Sequence, residues 1–248
     1  MTAALNIFIP LLTAHLLTDF VLQSDRSVRN KRNPLYFLLH ILIAGLTSYL
    51  LLGQFLNWMI PVAVLFSHAV IDLLKLSLSP RWLSELTAFT IDQITHLASI
   101  FAIAYYATPH LDPQTPWWIS ADHPSLYLKA LLLIAGFIAS TSMASIIIKK
   151  ILPHMLHSDS LLTPKQNGLP QGGHYIGYLE RTLLFTFVMA GQLPAAGFLV
   201  AAKSIFRFND IKGDQQEKSE YILVGTLLSF TTGILCSIAF QQLWTLLP

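Results

Sequence analysis

Three apolar runs of this chain each carry a histidine and an aspartate four residues apart: His15 with Asp19, His68 with Asp72, and Asp92 with His96. An apolar run of about 20 residues can cross a bilayer as a helix. Within a helix, a four-residue step sets both side chains on one face, one turn apart. Ionisable groups in such a run are costly and face the protein interior or a water-filled cavity, not lipid. The pattern therefore predicts helices gathered around a shared polar centre, with His40 of the remaining early run added to it.

Apolar runs lie at 4–22, 34–56, 59–78, 87–107, 125–148, 176–202 and 221–245. Only 11% of residues are charged and 54% are hydrophobic, against roughly a quarter charged in soluble domains. The expected fold is an all-α polytopic membrane bundle of six or seven spans, in one membrane domain. Residues 1–107 form its four-span, site-bearing part, and 125–248 supply a span, a hairpin and a final span. The formal charge of +2 and the placement of basic residues in loops exclude a nucleic-acid partner. Cys236 is the only cysteine, so no intrachain disulfide forms. The first run has no Lys or Arg before it and reads as a retained span rather than a leader.

Basic residues set the orientation. Arg26, Arg29, Lys31 and Arg32 follow the first run, Lys75 and Arg81 the third, and Lys149 and Lys150 the fifth. These segments are expected on the cytoplasmic side of an inner membrane, with the amino terminus outside. The 108–124 loop has no Lys or Arg but carries Trp117 and Trp118, as an outer interfacial segment does. Trp58 and Trp244 read as further interface anchors. The sixth run breaks the alternation, because one crossing would put Lys203, Arg207, Lys212 and Lys218 outside. Gly191, Pro194 and Gly197 interrupt it. A re-entrant helical hairpin at 176–206 resolves the conflict and pairs Glu180 with Lys203.

Counted from the cytoplasmic ends at about 1.5 Å per residue, all seven His and Asp groups fall in one slab. Runs directed inward read His then Asp, and the outward run reads Asp then His. Imidazole and carboxylate are the ligand set of Zn, Mn or Fe. His15, Asp19, His68, Asp72, Asp92 and His96 are the candidate ligands or their supports, with His40 as ligand or general base. Gln23 reads as a supporting donor or a helix terminus. His110, His123, His154 and His157 read as solvated, and His174 has no spaced partner. In the carboxy-terminal third, Arg181, Lys203 and Arg207 are candidate phosphate or carboxylate binders, and Glu180 is a candidate catalytic carboxylate.

The segments His-Leu-Leu-Thr-Asp-Phe-Val-Leu-Gln (15–23), Gly-Gly-His-Tyr-Ile-Gly-Tyr-Leu-Glu-Arg (172–181), Ala-Ala-Lys-Ser-Ile-Phe-Arg-Phe (201–208) and Glu-Tyr-Ile-Leu-Val-Gly-Thr-Leu-Leu-Ser-Phe (220–230) resemble the uncharacterised bacterial membrane family called domain of unknown function 3307. That resemblance implies membrane character and no defined activity. His68-Ala-Val-Ile-Asp72 is similar to the His-x-x-x-Asp of bacterial membrane-bound metal-dependent hydrolases, whose Pro-Asp-x-Asp-His and His-Arg-Gly-x-Thr-His-Ser segments this chain lacks. The leading expectation is a metal-dependent hydrolase of an amphiphilic ester or phosphoester near the cytoplasmic face. The alternatives are a transporter or channel using the cluster as a proton or cation relay, and a non-enzymatic scaffold or sensor. The lipid bilayer is the expected partner; the residues assign no oligomeric state.

Overall fold

The computed structural model describes residues 2–82, 84–110, 124–156, 172–208 and 216–247, with side chains described at 4–77, 84–109, 125–152, 172–203 and 223–247. The 111–123 segment with Trp117, Trp118 and His123 lies outside these residues, as do the side chains of His110, His154, His157 and Arg207.

Helix α1 (Thr2–Leu17) runs directly into a π-helical turn, Thr18–Leu22. The short α2 (Asp25–Arg29) begins where Ser24 accepts the Ser27 N–H. Helix α3 (Pro34–Leu52) starts with Pro34 behind the Asn33 cap, where a missing N–H is tolerated. It stops at Gly53, whose φ of 67° lets the chain turn out of the helix. Next come α4 (Met59–Trp82) and α5 (Glu85–Ala107), the latter capped by Ser84. Helix α6 (Pro124–Ile138) joins α7 (Ala144–Leu156) through a second π-helical turn, Ala139–Met143. Then follow α8 (Gly172–Met189), α9 (Leu193–Phe208) and α10 (Gln216–Thr245). Among the described residues there are no strands, and six helical stretches are long and apolar enough to cross a membrane.

The sixth apolar run is not one of those six. It is split into α8 and α9 at Ala190–Gln192, where Gly191 takes a φ of 71° and the Gln192 N–H reaches the Phe187 carbonyl at 2.7 Å. The expected helical hairpin forms, and Lys203 Nζ meets Glu180 Oε2 at 2.6 Å.

The chain divides into two compact units, 1–138 with 244–248, and 139–243. The expected grouping placed everything from 125 onward together, whereas α6 packs with the first unit. Leu128, Leu131, Leu132 and Ala135 of α6 are buried. The Thr13 hydroxyl of α1 lies 2.8 Å from the Ile9 carbonyl and 3.2 Å from that of Leu131. Tyr127 donates to the Leu51 carbonyl.

The first unit is inside-out relative to a soluble bundle. On α5, Ala88, Asp92, His96, Ile100 and Ala104 are buried at every fourth position, while Ile91, Ile94, Phe101 and Tyr105 are exposed. On α3, His40, Ala44, Gly45 and Ser48 face in, and Leu35, Leu38, Leu42 and Leu46 face out. Small and polar residues inside with large apolar ones outside suit a lipid solvent, where helices associate by close packing and internal polar contacts. Gly45 permits this closeness, since a Cβ there would stand 3.0 Å from Leu65 Cδ1. Helix α1 packs against α3, α5 and α6, and α4 bridges α3 and α5. An apolar plug of Ile7, Leu11, Leu52, Ile60, Val64, Ile100 and Ala104 closes one end of this bundle. The polar layer begins about one turn from the plug on α1, α4 and α5, and about three turns from it on α3.

Candidate metal centre

Each helix of the first bundle delivers its ionisable residues to one layer for a local reason. A four-residue step keeps His68 and Asp72 in line on α4, at 3.6 Å, and Asp92 and His96 in line on α5, at 3.5 Å. On α1 the π-helical turn intervenes. A π turn closes i→i+5 bonds and widens the helix, so Asp19 is swung away from its own partner. It stands 3.9 Å from His15 but 3.4 Å from His40 and 3.5 Å from His68. The helix-to-helix contacts are as short as the intrahelical ones or shorter, so these are not three isolated pairs.

Four atoms converge most closely: Asp19 Oδ1, His40 Nε2, His68 Nε2 and Asp72 Oδ2. His40 lies 3.4 Å from Asp19 and 3.5 Å from Asp72, and His68 lies 3.5 Å and 3.6 Å from the same oxygens. The two imidazole nitrogens are 3.0 Å apart. Two donors of one ion at 2.0–2.2 Å, separated by the tetrahedral angle, stand roughly 3.3–3.6 Å apart. The four carboxylate–imidazole distances match that span, and the His40–His68 separation is slightly short. All three aspartates and all four imidazoles are buried or nearly so, with Asp72 and His96 only 1% exposed. Overlapping groups of three, His15/His68/His96, Asp19/His40/His68 and Asp72/Asp92/His96, each bring one ligand atom per residue within 4.8 Å of the others.

Hydrogen bonds fix how the outer imidazoles point. His96 Nδ1 donates to the Asp92 backbone carbonyl at 2.9 Å, which leaves Nε2 as a bare lone pair. His15 Nε2 donates to Gln93 Oε1 at 3.2 Å, and the Gln93 amide donates to Asp92 Oδ2 at 3.1 Å. The His15 and His96 rings stack at 4.9 Å, and those of His68 and His96 are 4.4 Å apart. Six buried acceptor atoms of the layer have no hydrogen-bond partner among the described residues: His15 Nδ1, Asp19 Oδ1, both oxygens of Asp72, Asp92 Oδ1 and His96 Nε2. Buried polar atoms are normally satisfied, and an orphan cluster calls for a water or an ion. Lone pairs converging at ligand spacing, with the opposite nitrogen of two histidines tied to an acceptor, fit a divalent cation.

Two cations that read only as orientation signals in the sequence enter the site. Lys31 Nζ lies 2.8 Å from Asp72 Oδ2, within ion-pair range though not aligned as a hydrogen bond. Lys75 Nζ meets Asp92 Oδ2 at 2.6 Å. Gln93 was also missed, because it sits one residue from Asp92 and outside any four-residue pattern. Its signal was a polar amide in an apolar run. Gln23, read as a supporting donor, has its Nε2 buried without a partner.

The remaining candidates lie in the second unit. Glu180 is held by Lys203, and Arg181 is 3% exposed, donating to Ser229 Oγ at 2.8 Å and to Ser145 Oγ. Arg207 lies on α9 with its side chain outside the described residues. His174, without a partner by spacing, lines a cavity beside Arg181.

Residues 7–123 match a protein family described as "Protein of unknown function (DUF3307)". The matched stretch contains the 15–23 motif and every His and Asp of the layer, while the motifs at 172–181, 201–208 and 220–230 fall beyond it. No curated protein and no solved structure matches the chain.

Proposed function

We propose that this protein is a membrane-embedded, metal-dependent hydrolase of an amphiphilic ester or phosphoester, with one divalent ion (Zn, Mn or Fe) held by Asp19, His40 and His68. The observation that carries the reading is that Asp19 Oδ1, His40 Nε2 and His68 Nε2 lie 3.0–3.5 Å from one another, at the spacing of ligands sharing one ion. Charge decides the number of ions. Three aspartates face two lysines, a net of one negative charge with neutral imidazoles. One divalent cation leaves a single positive charge, whereas two would leave three in a buried layer, which is far more costly.

With Asp72 engaged by Lys31, three protein ligands remain, the arrangement of catalytic rather than structural sites. Held by Asp19, His40 and His68, such an ion would supply an acidified water and Lewis-acid polarisation of an ester or phosphoryl oxygen. His96 offers its bare Nε2 as proton acceptor, held in that tautomer by the Asp92 carbonyl. His15 and Gln93 brace His96 by stacking and through Asp92. Lys31 and Lys75, both already at the layer, would receive the negative charge of the acyl or phosphoryl product.

The test is turnover by metal-loaded protein in micelles, with a long-chain methylumbelliferyl ester and bis(p-nitrophenyl) phosphate as probes. Asp19→Asn and His96→Ala should each lower the rate at least about 100-fold, and His96→Ala should retain the metal. A second reading is favoured by the Lys31–Asp72 and Lys75–Asp92 pairs, with the Lys75 side chain 31% exposed: a proton or cation relay. Absence of turnover, with liposome flux that is lost in Asp72→Asn and Asp92→Asn, would replace the hydrolase by that relay.

We place the protein in a cell inner membrane, amino terminus outside, with α8 and α9 re-entrant from the cytoplasmic side. The support is the basic residues after the first, third and fifth spans. A cysteine introduced at residue 213 should react with an impermeant maleimide only after the cells are opened. Labelling of intact cells would refute the re-entrant placement.

A further inference from the structure

The second unit contains a buried positive charge that forms no ion pair among the described residues. The Arg181 guanidinium is 3% exposed, and its Nε has no hydrogen-bond partner. Its two described hydrogen-bond acceptors are the neutral hydroxyls of Ser145 and Ser229. Glu180, next in the chain, lines the same cavity but forms its ion pair with Lys203 at 2.6 Å. No carboxylate among the described residues lies within ion-pair distance of Arg181. An uncompensated buried charge is strongly destabilising, and a guanidinium that cannot shed its proton cannot relieve this by neutralising.

The surroundings are shaped to admit this group. A Cβ at Gly177, one turn before Arg181, would stand 3.1 Å from Nη1, and a Cβ at Gly233 would stand 3.2 Å from Cγ. Both glycines clear the path of the side chain. Arg181 lines a cavity of about 770 Å³. Lys149 and Lys203 line it too, and Ile148, Leu152, Ile176 and Leu199 supply apolar wall. Lys149 is exposed and has no carboxylate partner among the described residues. Burial, then the neighbouring Lys149 and Arg181 cations, holds His174 below the usual imidazole range, as a positive potential over this mouth should.

We propose that this cavity binds the phosphate or carboxylate head of an amphiphilic anion, with Arg181 as its counter-ion, Lys149 beside it, and the chain along Ile148, Leu152 and Leu199. The two serine hydroxyls hold the guanidinium plane, and Nε–H with the remaining Nη–H groups faces the anion as a fork. The site needs nothing from the His/Asp layer and stands or falls without it.

Binding is measured on the full-length protein in micelles with EDTA present, so that the His/Asp layer plays no part. The probes are dioctanoyl phosphatidic acid, dodecanoate, dioctanoylglycerol and inorganic phosphate. Saturable binding of phosphatidic acid or dodecanoate is expected, with a raised melting temperature and no effect of dioctanoylglycerol. Arg181→Gln should weaken binding about ten- to a hundredfold, the scale of lost charge-assisted hydrogen bonds. Lys149→Gln, at an exposed position that folding does not depend on, should weaken it several-fold and keeps the proposal testable if Arg181→Gln does not fold. Equal binding of the neutral lipid, or anion binding indifferent to Lys149→Gln, would overturn the site. Inorganic phosphate bound as tightly as phosphatidic acid would assign a free anion and overturn the amphiphile.

Discussion

His68→Ala should abolish stoichiometric metal binding, lowering affinity by more than about 100-fold. His68 belongs to two of the three ligand groups, His15/His68/His96 and Asp19/His40/His68. Its Nε2 faces His40 at 3.0 Å and the oxygens of Asp19 and Asp72 at 3.5 Å and 3.6 Å. Loss of an outer partner of a ligand costs about 10–100-fold in affinity, so loss of a shared ligand atom must exceed it. His174→Ala, in the other unit, should bind metal as the parent does. The comparison is elemental analysis of monodisperse protein after dialysis against a defined metal buffer. Equal metal in the parent and in His68→Ala would contradict the ligand assignment.

The second large effect is expected from Lys31→Met. Asp72 is 1% exposed and Lys31 Nζ stands 2.8 Å from its Oδ2. Removing one partner of a buried pair destabilises a protein by about 3–5 kcal/mol, because the other charge is left uncompensated. The same substitution frees an oxygen that stands 3.5 Å and 3.6 Å from the His40 and His68 nitrogens. Metal should therefore bind Lys31→Met more tightly than the parent and restore most of its stability. At a free metal concentration of about 1,000 Kd, linkage returns about 4 kcal/mol, enough to offset the loss. Lys75→Met should cost less, because that side chain is 31% exposed and its pairing with Asp92 is partly screened. Unfolding in EDTA and in metal measures both. A Lys31→Met protein that metal stabilises no more than the parent would mean that the pair is structural and does not compete with an ion.

Much of the first bundle was legible because two periods coincide on its helices. On α5, small, polar and apolar core positions recur every four residues from Ala88 to Ala104, so the interior stripe can be read directly. Counting along the spans put His15, His40, His68 and His96 level with one another, and their rings do lie side by side in one layer. Two features escaped that logic. The π-helical turn at Thr18–Leu22 has no period of its own, and it turns Asp19 toward His40 and His68. Lys31 and Lys75 read in the sequence as orientation signals, yet they reach inward to Asp72 and Asp92, a use that composition cannot reveal because a long aliphatic stem lets an ammonium group travel. In the second unit the Glu180–Lys203 pair followed from folding the run about Gln192. That Arg181 is buried on Ser145 and Ser229, with no ion pair among the described residues, did not, since it is a property of three-dimensional packing. The grouping of α6 with α1 likewise depends on contacts such as Thr13 with Leu131.

The most direct test of the central claim is X-ray absorption on purified protein loaded with one metal. One ion per chain is expected, bound by nitrogen and oxygen at about 2.0–2.2 Å, with an imidazole signature that shrinks in His40→Ala and is lost with the ion in His68→Ala. Folded protein that holds markedly less than one ion per chain, or an ion whose spectrum neither substitution alters, would contradict it.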